Sequence, residues 1–308
     1  MMRSLYSGIS GLRNHQTRMD VIGNNIANVN TTGYKTSRVI FQDIFSQTSR
    51  GGMANTGISG GTNPMQIGLG IKLSTIDVLH TPAPFARTDN PYDLMIEGDG
   101  YFIVESPNGP FYTRAGNFKL DDEGYLTTSD GYYVLGYLHD LTYVPGIEGL
   151  AATDSSPAVP AIPPGVLVGD ISDDLGRIRL RVPANTATGK PIDLVGFAAG
   201  DDGSVSVIIE NEKVAIAKIA LAMFSNPSGL EKAGNSMYRA TAPSGERLHT
   251  EPLQNGSGKV IGGGLEMSNV DLATEFTDMI VTQRGFQANS RIITVSDTLL
   301  EELVNLKR

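Results

Sequence analysis

The two ends of the chain share a pattern that its middle lacks. At each end apolar residues recur every three or four positions, which predicts a helix with one apolar face. The N-terminal helix is predicted to begin with Ser4 as its N-cap and to stop at 30–33, where Gly33 can adopt positive φ. Its apolar face consists of Leu5, Ile9, Leu12, Met19, Ile22 and Ile26.

The C-terminal helix is predicted over 268–308, with Ser268 or Asn269 as its N-cap. Its apolar residues alternate at spacings of four and three, although Gln283, Ser290 and Asp297 interrupt the repeat. Neither helix can bury its apolar face alone, so we expect the two to pair as a coiled coil or to pack on copies from other chains. The apolar face consists of Leu272, Phe276, Met279, Phe286, Ile293, Leu300 and Val304.

In the middle of the chain, short segments rich in aromatic and β-branched residues alternate with Asn-Gly and Asp-Gly turn signals. This pattern predicts a central antiparallel β-rich domain, formed by 76–140 with 178–262. The strands are predicted at 101–105, 111–114, 131–138, 177–182 and 205–210.

Two stretches separate these regions. Residues 31–75 end in a glycine-rich stretch and are predicted as a linker, and the proline-rich 141–177 as a surface insertion. The predicted fold class is therefore a discontinuous α+β fold. Its helical core domain joins 1–30 to 268–308, and the β-rich domain lies between them in sequence.

Composition excludes several classes of function. The net charge of −9 disfavours a nucleic-acid partner. The absence of cysteine excludes disulfides and thiolate sites, and four scattered histidines disfavour a metal centre, so we expect no cofactor and no metal. The sequence contains neither a cleavable signal peptide nor an apolar run of membrane-spanning length, which predicts no membrane insertion and, taken alone, a cytoplasmic protein.

No motif predicts an enzyme. Ser59 lies in a G-x-S-x-G pattern, so a serine hydrolase is one alternative class, but the glycine-rich surroundings favour a linker. The loop 255–259 resembles a phosphate-binding loop without its first glycine and without the Ser or Thr that binds magnesium. Another alternative class of function is a surface adhesin or carbohydrate-binding module, which would need only the β-rich middle.

Four separated blocks carry a family resemblance. They are SGISGLRNHQTRMDVIGNNIANVNTTGYK at 7–35, the segments DLMIEGDGYFIV and YTRAGNFKLDDEGYL within 93–126, LAMFSNPSGLEKAGNSMYRAT at 221–241, and the segment from GGGLEMSNVDLATEF onward at 262–306. In this order they resemble the axial proteins of the bacterial flagellum, the hook and distal-rod family. The closing block is most similar to short Gram-positive-type hook proteins, whereas the glycine-rich stretch after Phe45 resembles that of the distal rod.

The resemblance implies a structural subunit of the flagellar hook, a curved tubular polymer that joins rod to filament, with the distal rod as the alternative. It implies homo-oligomerisation and contacts with rod, hook-cap and hook–filament junction proteins. It also implies export through the flagellar type III apparatus without a cleavable signal, so the expected location is the hook or basal body outside the cell.

The same resemblance suggests how export begins. Phe41 and Phe45 match the short Phe-x-x-x-apolar element by which early substrates engage the type III export gate. The alternative is that the two rings, four residues apart, form a small hydrophobic contact with each other.

Overall fold

The computed structural model describes residues 2–54, 60–107, 109–139, 142–143, 167–168, 171–180, 197–209 and 212–306. Within these residues the chain forms two compact units. Unit 1 comprises 1–30, 35–80 and 269–308, and unit 2 comprises 31–34 and 81–268. The predicted α+β class, with helices at both ends and an antiparallel β-rich middle, is confirmed.

Unit 1 consists of two helices and a β-ribbon. Helix α1 spans Met2–Ala27 and helix α2 spans Leu272–Asn305. The ribbon is a long antiparallel hairpin in which β1 (Ser37–Asp43) pairs with β4 (Ile71–Val78) and β2 (Ser46–Arg50) pairs with β3 (Met65–Gly68). The stretch predicted as a linker therefore contains β1, β2, β3 and most of β4, whose β-branched residues favour extended backbone. Ser59 lies outside the described residues.

Both predicted helix caps are wrong. Helix α1 begins before Ser4, and the N-cap of α2 is Asp271, whose carboxylate accepts a 3.0 Å hydrogen bond from the Ala273 amide. Asn269 is engaged elsewhere: its Oδ1 accepts from the Thr36 amide at 2.7 Å and its Nδ2 donates to the Leu79 carbonyl at 2.9 Å. The side chain that the sequence predicted as the N-cap therefore forms tertiary hydrogen bonds instead.

Unit 2 is built around a 13-stranded sheet with the order β15-β16-β17-β11-β7-β8-β20-β19, to which β9, β10, β14, β18 and β21 are attached. Separate two-stranded sheets pair β22 with β6, β23 with β5, and β12 with β13. The strands are β5 (Phe85–Arg87), β6 (Leu94–Glu97), β7 (Tyr101–Ser106), β8 (Gly109–Thr113), β9 (Lys119–Leu120), β10 (Leu126–Thr127), β11 (Tyr133–His139), β12 (Thr142–Tyr143), β13 (Leu167–Val168), β14 (Ile171–Arg177), β15 (Phe197–Ala199), β16 (Ser204–Ile209), β17 (Glu212–Ile219), β18 (Leu221–Phe224), β19 (Glu231–Gly234), β20 (Met237–Arg239), β21 (Arg247–Thr250), β22 (Lys259–Gly262) and β23 (Gly264–Glu266). Short 3₁₀ segments lie at Pro227–Gly229 and Ala242–Ser244.

Strand β7 lies at the centre of this unit and is covered on both faces. Phe102 and Val104 belong to one apolar cluster, whereas Tyr101 and Ile103 belong to another. Because successive side chains of a strand point to opposite faces, β7 joins two hydrophobic cores. The sheet of unit 2 therefore buries its own apolar residues.

One predicted strand of the middle differs in the structure. Strand β14 ends at Arg177, where the sequence predicted a strand to begin. Most of the predicted insertion at 141–177, including 144–166, lies outside the described residues, as do Lys307 and Arg308.

Candidate assembly interface

The two helices of unit 1 pack against each other in antiparallel orientation. Gly8 faces Ile292 and Ile293, and Arg18 Nη2 lies 2.8 Å from an Asp278 carboxylate oxygen. Farther along α1, the Asn25 amide donates to Glu275 at 3.0 Å. Residues later in α1 therefore contact residues earlier in α2, which shows that the two helices are antiparallel.

Glycines line the contact between the helices. A Cβ built at Gly11 would overlap the Asn289 side-chain amide, and one at Gly285 would come within 2.9 Å of the His15 ring. Real Cβ atoms essentially never approach so closely, so only glycine fits at these positions unless the neighbour moves. The absence of side chains at Gly8 and Gly11 lets the two helix backbones approach.

Polar side chains complete this contact. Asn25 is buried: its amide donates to the Ser37 carbonyl as well as to Glu275, and its Oδ1 accepts from the Ser37 amide at 3.0 Å. Asn25 therefore ties α1, β1 and α2 together. Thr282 and Ser296 are also buried, and each hydroxyl donates to a carbonyl four residues earlier in α2, so neither is left unsatisfied.

The predicted apolar residues divide between the inside and the outside of this pair. In α1, Ile22 is buried and Ile9 is exposed; in α2, the exposed residues include Phe276 and Leu300. Of the other predicted residues, two are exposed, Leu272 and Val304. The half-buried ones are Leu5, Leu12, Met19, Ile26, Met279, Phe286 and Ile293. The face of α2 toward α1 therefore alternates half-buried apolar residues with small or polar ones.

The structure also reveals an apolar stripe on α2 that the sequence reasoning missed. Its residues are exposed and follow spacings of three and four, so a second search for the same periodicity in another register would have found it. We call it the outer stripe: Ile292, Val295, Leu299, Leu303 and Leu306.

Two titratable groups lie in the helix contact. Burial, and secondarily the nearby Arg18 guanidinium, lowers the pKa of His15, whose ring also meets the Phe41 ring edge-on at 6.0 Å. Burial raises the pKa of the Glu275 carboxyl, and the hydrogen bond from Asn25 opposes that shift. Both shifts favour the uncharged form, as expected where water is excluded.

The two phenylalanines suggested for the export gate have different surroundings. Phe41 lies in β1, partly buried against His15, whereas Phe45 lies just before β2 and is 64% exposed. Among the described aromatic contacts, none joins the two rings. An extended chain separates residues four apart by about 13 Å, which accounts for their separation.

The loop at 255–259, which resembles a phosphate-binding loop in sequence, forms a hydrogen-bonded turn that leads into β22. Asn255 and Gly256 adopt positive φ in a turn, the Ser257 hydroxyl donates to the Glu251 and Gln254 carbonyls, and Val260 is buried in β22. Within the described ranges there is no cluster of three or more His, Asp or Glu residues suited to a metal ion. Helices in those ranges also lack the combination of length and apolar character that crossing a membrane requires.

Three family models match the chain. The description "Flagella basal body rod protein" matches 5–35, "Flagellar hook protein FlgE/F/G D1 domain" matches 95–207, and "Flagellar basal body rod FlgEFG protein C-terminal" matches 261–306. These matches cover α1, much of the sheet of unit 2 and α2. They define the class of the protein as a structural component of the bacterial flagellum.

Whole-length similarities extend this result. The chain is 45% identical over 310 residues to the flagellar basal-body rod protein FlgG of Bacillus subtilis, covering all of both proteins. It is 33% identical to both the FlgG and the hook protein FlgE of Borreliella burgdorferi, again covering all of each, over 312 and 441 residues respectively. The chain belongs to the family of flagellar basal-body rod and hook proteins, which are structural and not enzymes.

Proposed function

We propose that this chain is the subunit of the distal rod, the rigid shaft of the flagellar basal body. The supporting observation is length: the alignments with two rod proteins span 310 and 312 positions, close to the 308 residues of this chain. The alignment with the hook protein of Borreliella burgdorferi spans 441 positions, although its identity of 33% equals that of the rod protein from the same organism. Sequence analysis favoured the hook, and these similarities favour its alternative.

The hook remains the second candidate because a hook protein is 33% identical over the full length of both chains. A strain that lacks the gene separates the two candidates by electron microscopy of its basal bodies. A distal-rod subunit leaves an incomplete rod, whereas a hook subunit leaves a complete rod without a hook. A complete hookless rod would contradict the rod proposal.

We further infer that the helices of unit 1, formed from 1–30 and 268–308, build an inner tube by coiled-coil packing among copies. The exposed apolar residues Leu272, Phe276, Leu300 and Val304 and the outer stripe support this, because full burial of each such side chain contributes about 1.5–3 kcal/mol. Helices that cannot cover these faces alone are expected to become ordered on assembly.

Charge placed on the helices tests this assembly. Phe286→Asp puts a carboxylate beside α1, and Leu300→Asp puts one on an uncovered face. Both variants should abolish rod formation while leaving the tyrosine-rich unit 2 folded. Normal rods from Leu300→Asp would rule out an assembly role for that face.

Export through the type III gate is the proposed route to this location, with Phe41 and Phe45 as its recognition element. The exposure of Phe45 is compatible with a role other than packing. Phe45→Ala should reduce secretion without changing stability, whereas Phe41→Ala should reduce both, because Phe41 also contacts His15. Unchanged secretion of both variants would remove this proposal.

A further inference from the structure

A groove in unit 1 lies between α1 and the β-ribbon. It has a volume of about 370 Å³, and its lining includes Tyr6, Ile9 and Arg13 from α1 and Ile44, Leu69 and Lys72 from the ribbon side. Tyr6, Ile9 and Ile44 are exposed, although they are apolar. Among the ion pairs between described residues, none involves Arg13 or Lys72. The groove therefore combines uncovered apolar surface with two cations.

The helix α2 of the same chain cannot fill this groove. Its contact with α1 runs along Gly8, Gly11 and His15. At about 100° per residue, Ile9 and Arg13 project from roughly the opposite side of α1. Any helix that occupies the groove must therefore come from another molecule.

The C-terminal turns of α2 have complementary features. Because Gly8 faces Ile292 and Ile293, antiparallel packing places Met2 about level with residue 298, and the turns of α2 beyond that point have no neighbour in α1. Leu299, Leu303 and Leu306 are exposed there. Glu302 flanks these leucines on the helix and is exposed, and it too takes no part in the ion pairs between described residues.

We propose that the groove binds the last turns of α2 from a second copy of this chain. Leu299, Leu303 and Leu306 enter the apolar lining, and Glu302, which flanks them on the helix, faces Arg13 and Lys72. The groove and the helix end are different surfaces of one molecule, so the contact is head-to-tail and does not close on itself. The inference rests on the proposed self-assembling function and specifies one of its interfaces.

Charge reversal tests the pairing in a strain that lacks its own copy of the gene. Arg13→Glu with Lys72→Glu, or Glu302→Lys alone, should lower the number of complete flagella about tenfold, because juxtaposed like charges oppose docking. Combining all three substitutions should restore assembly. The matched control is Arg38→Glu with Arg50→Glu, which makes the same charge change as the groove double variant at exposed ribbon positions outside the groove and should assemble normally. A triple variant no better than Arg13→Glu with Lys72→Glu or than Glu302→Lys would overturn the pairing.

Disulfide crosslinking provides a second measurement that does not depend on charge. The chain has no cysteine, so any disulfide must join introduced residues. Ile9→Cys with Leu303→Cys should yield a ladder of covalent multimers in isolated rods, since a disulfide requires Cα atoms within about 7 Å. Ile9→Cys with Gln287→Cys, an exposed position off the outer stripe, is the matched control and should yield none.

The outcomes separate this inference from the function on which it rests. If the cysteine variants build rods but only the control pair, or neither pair, crosslinks, the groove does not bind the helix end although the chain is a rod subunit. If the wild-type chain builds no axial structure in the deletion strain, the proposed function itself fails.

Discussion

Strand β7 of unit 2 buries its apolar residues, whereas helix α2 of unit 1 leaves many of its apolar residues exposed. Tyr101 to Val104 of β7 are all buried, on both faces of the sheet. Helix α2 buries only Thr282 and Ser296 fully, while many of its leucines, isoleucines and valines are exposed. The central strand of unit 2 is therefore buried within its own unit, whereas unit 1 has long apolar surface on α2 that its own chain does not cover.

This difference indicates where the free energy of each unit comes from. A sheet covered on both faces gains most of its stability within the chain, because burial of apolar area is the dominant favourable contribution. A helix pair joined by glycines and polar groups gains less, and further burial requires other molecules. Unit 2 provides a stable body, and unit 1 provides surfaces for association.

The two units can be followed separately in one sample. The chain has no tryptophan, and all of its tyrosines except Tyr6 belong to unit 2, so tyrosine fluorescence reports the unfolding of unit 2. The two long helices belong to unit 1, so far-ultraviolet circular dichroism in the helical band reports unit 1.

The largest expected effect is a truncation in the core of unit 2. Phe102→Ala removes a fully buried ring that packs edge-on against Phe118, and should lower the free energy of unfolding of unit 2 by about 3–5 kcal/mol. Leu303→Ala, the matched truncation on the outer stripe, should change the stability of unit 1 by no more than about 0.5 kcal/mol. Equal losses in urea unfolding would contradict the contrast between the units.

The next effect concerns a buried ion pair in unit 2. Arg114 lies 3.4 Å from Glu266, both are buried, and Arg114 Nη2 also donates to the Gly98 carbonyl at 2.7 Å. Glu266→Leu removes the carboxylate from the guanidinium and from the Ala83 amide, which donates to it at 3.1 Å, so the free energy of unfolding of unit 2 should fall by about 3 kcal/mol. Adding Arg114→Met should recover much of this loss. Should the double variant be less stable than Glu266→Leu alone, the cost lies in packing and not in the unpaired charge.

A smaller effect tests the glycine-lined contact in unit 1. Gly11→Leu should force Asn289 and α2 away and lower the stability of unit 1 by about 1–3 kcal/mol, seen in the helical dichroism signal. Gly23→Ala is the control, because no atom lies near the Cβ that it adds; it should stabilise α1 by about 1 kcal/mol. If Gly11→Leu is neutral, the close approach is not needed to hold the helices together.

The smallest expected effect is a dependence on pH. The pKa of His15 is lowered from 6.5, so the folded state prefers neutral imidazole. Stability from this group is fully present above pH 6.5 and is lost as the pH falls through the lowered value, because the unfolded chain binds the proton first. His15→Gln should flatten this dependence in the helical signal of unit 1. His249, whose pKa burial also lowers, should maintain a similar dependence in unit 2.

The sequence predicted much of the fold and less of the helix contact. Aromatic and β-branched segments between turn signals located β7, β8, β11 and β16. Apolar residues spaced three and four apart located both helices, because this period follows directly from helix geometry. The sequence analysis did not reveal the ribbon strands within 31–75, where glycines and polar residues favoured a linker. It also misplaced the caps, because Asn269 serves a tertiary hydrogen bond that local sequence does not encode.

By itself, the sequence determined that both ends of the chain are amphipathic helices and that the middle is rich in β-strands. Only the tertiary structure decided which face of α2 meets α1. Periodicity cannot make that choice, because Leu300 and Leu303 belong to different registers that fit the same helix. The choice depends on how closely the two backbones approach, and the glycines at 8, 11 and 285 permit the closest approach along a line of small and polar residues. Leu303 projects to the same side as Gly285, about five helical turns earlier, and stays exposed because it lies beyond the end of α1.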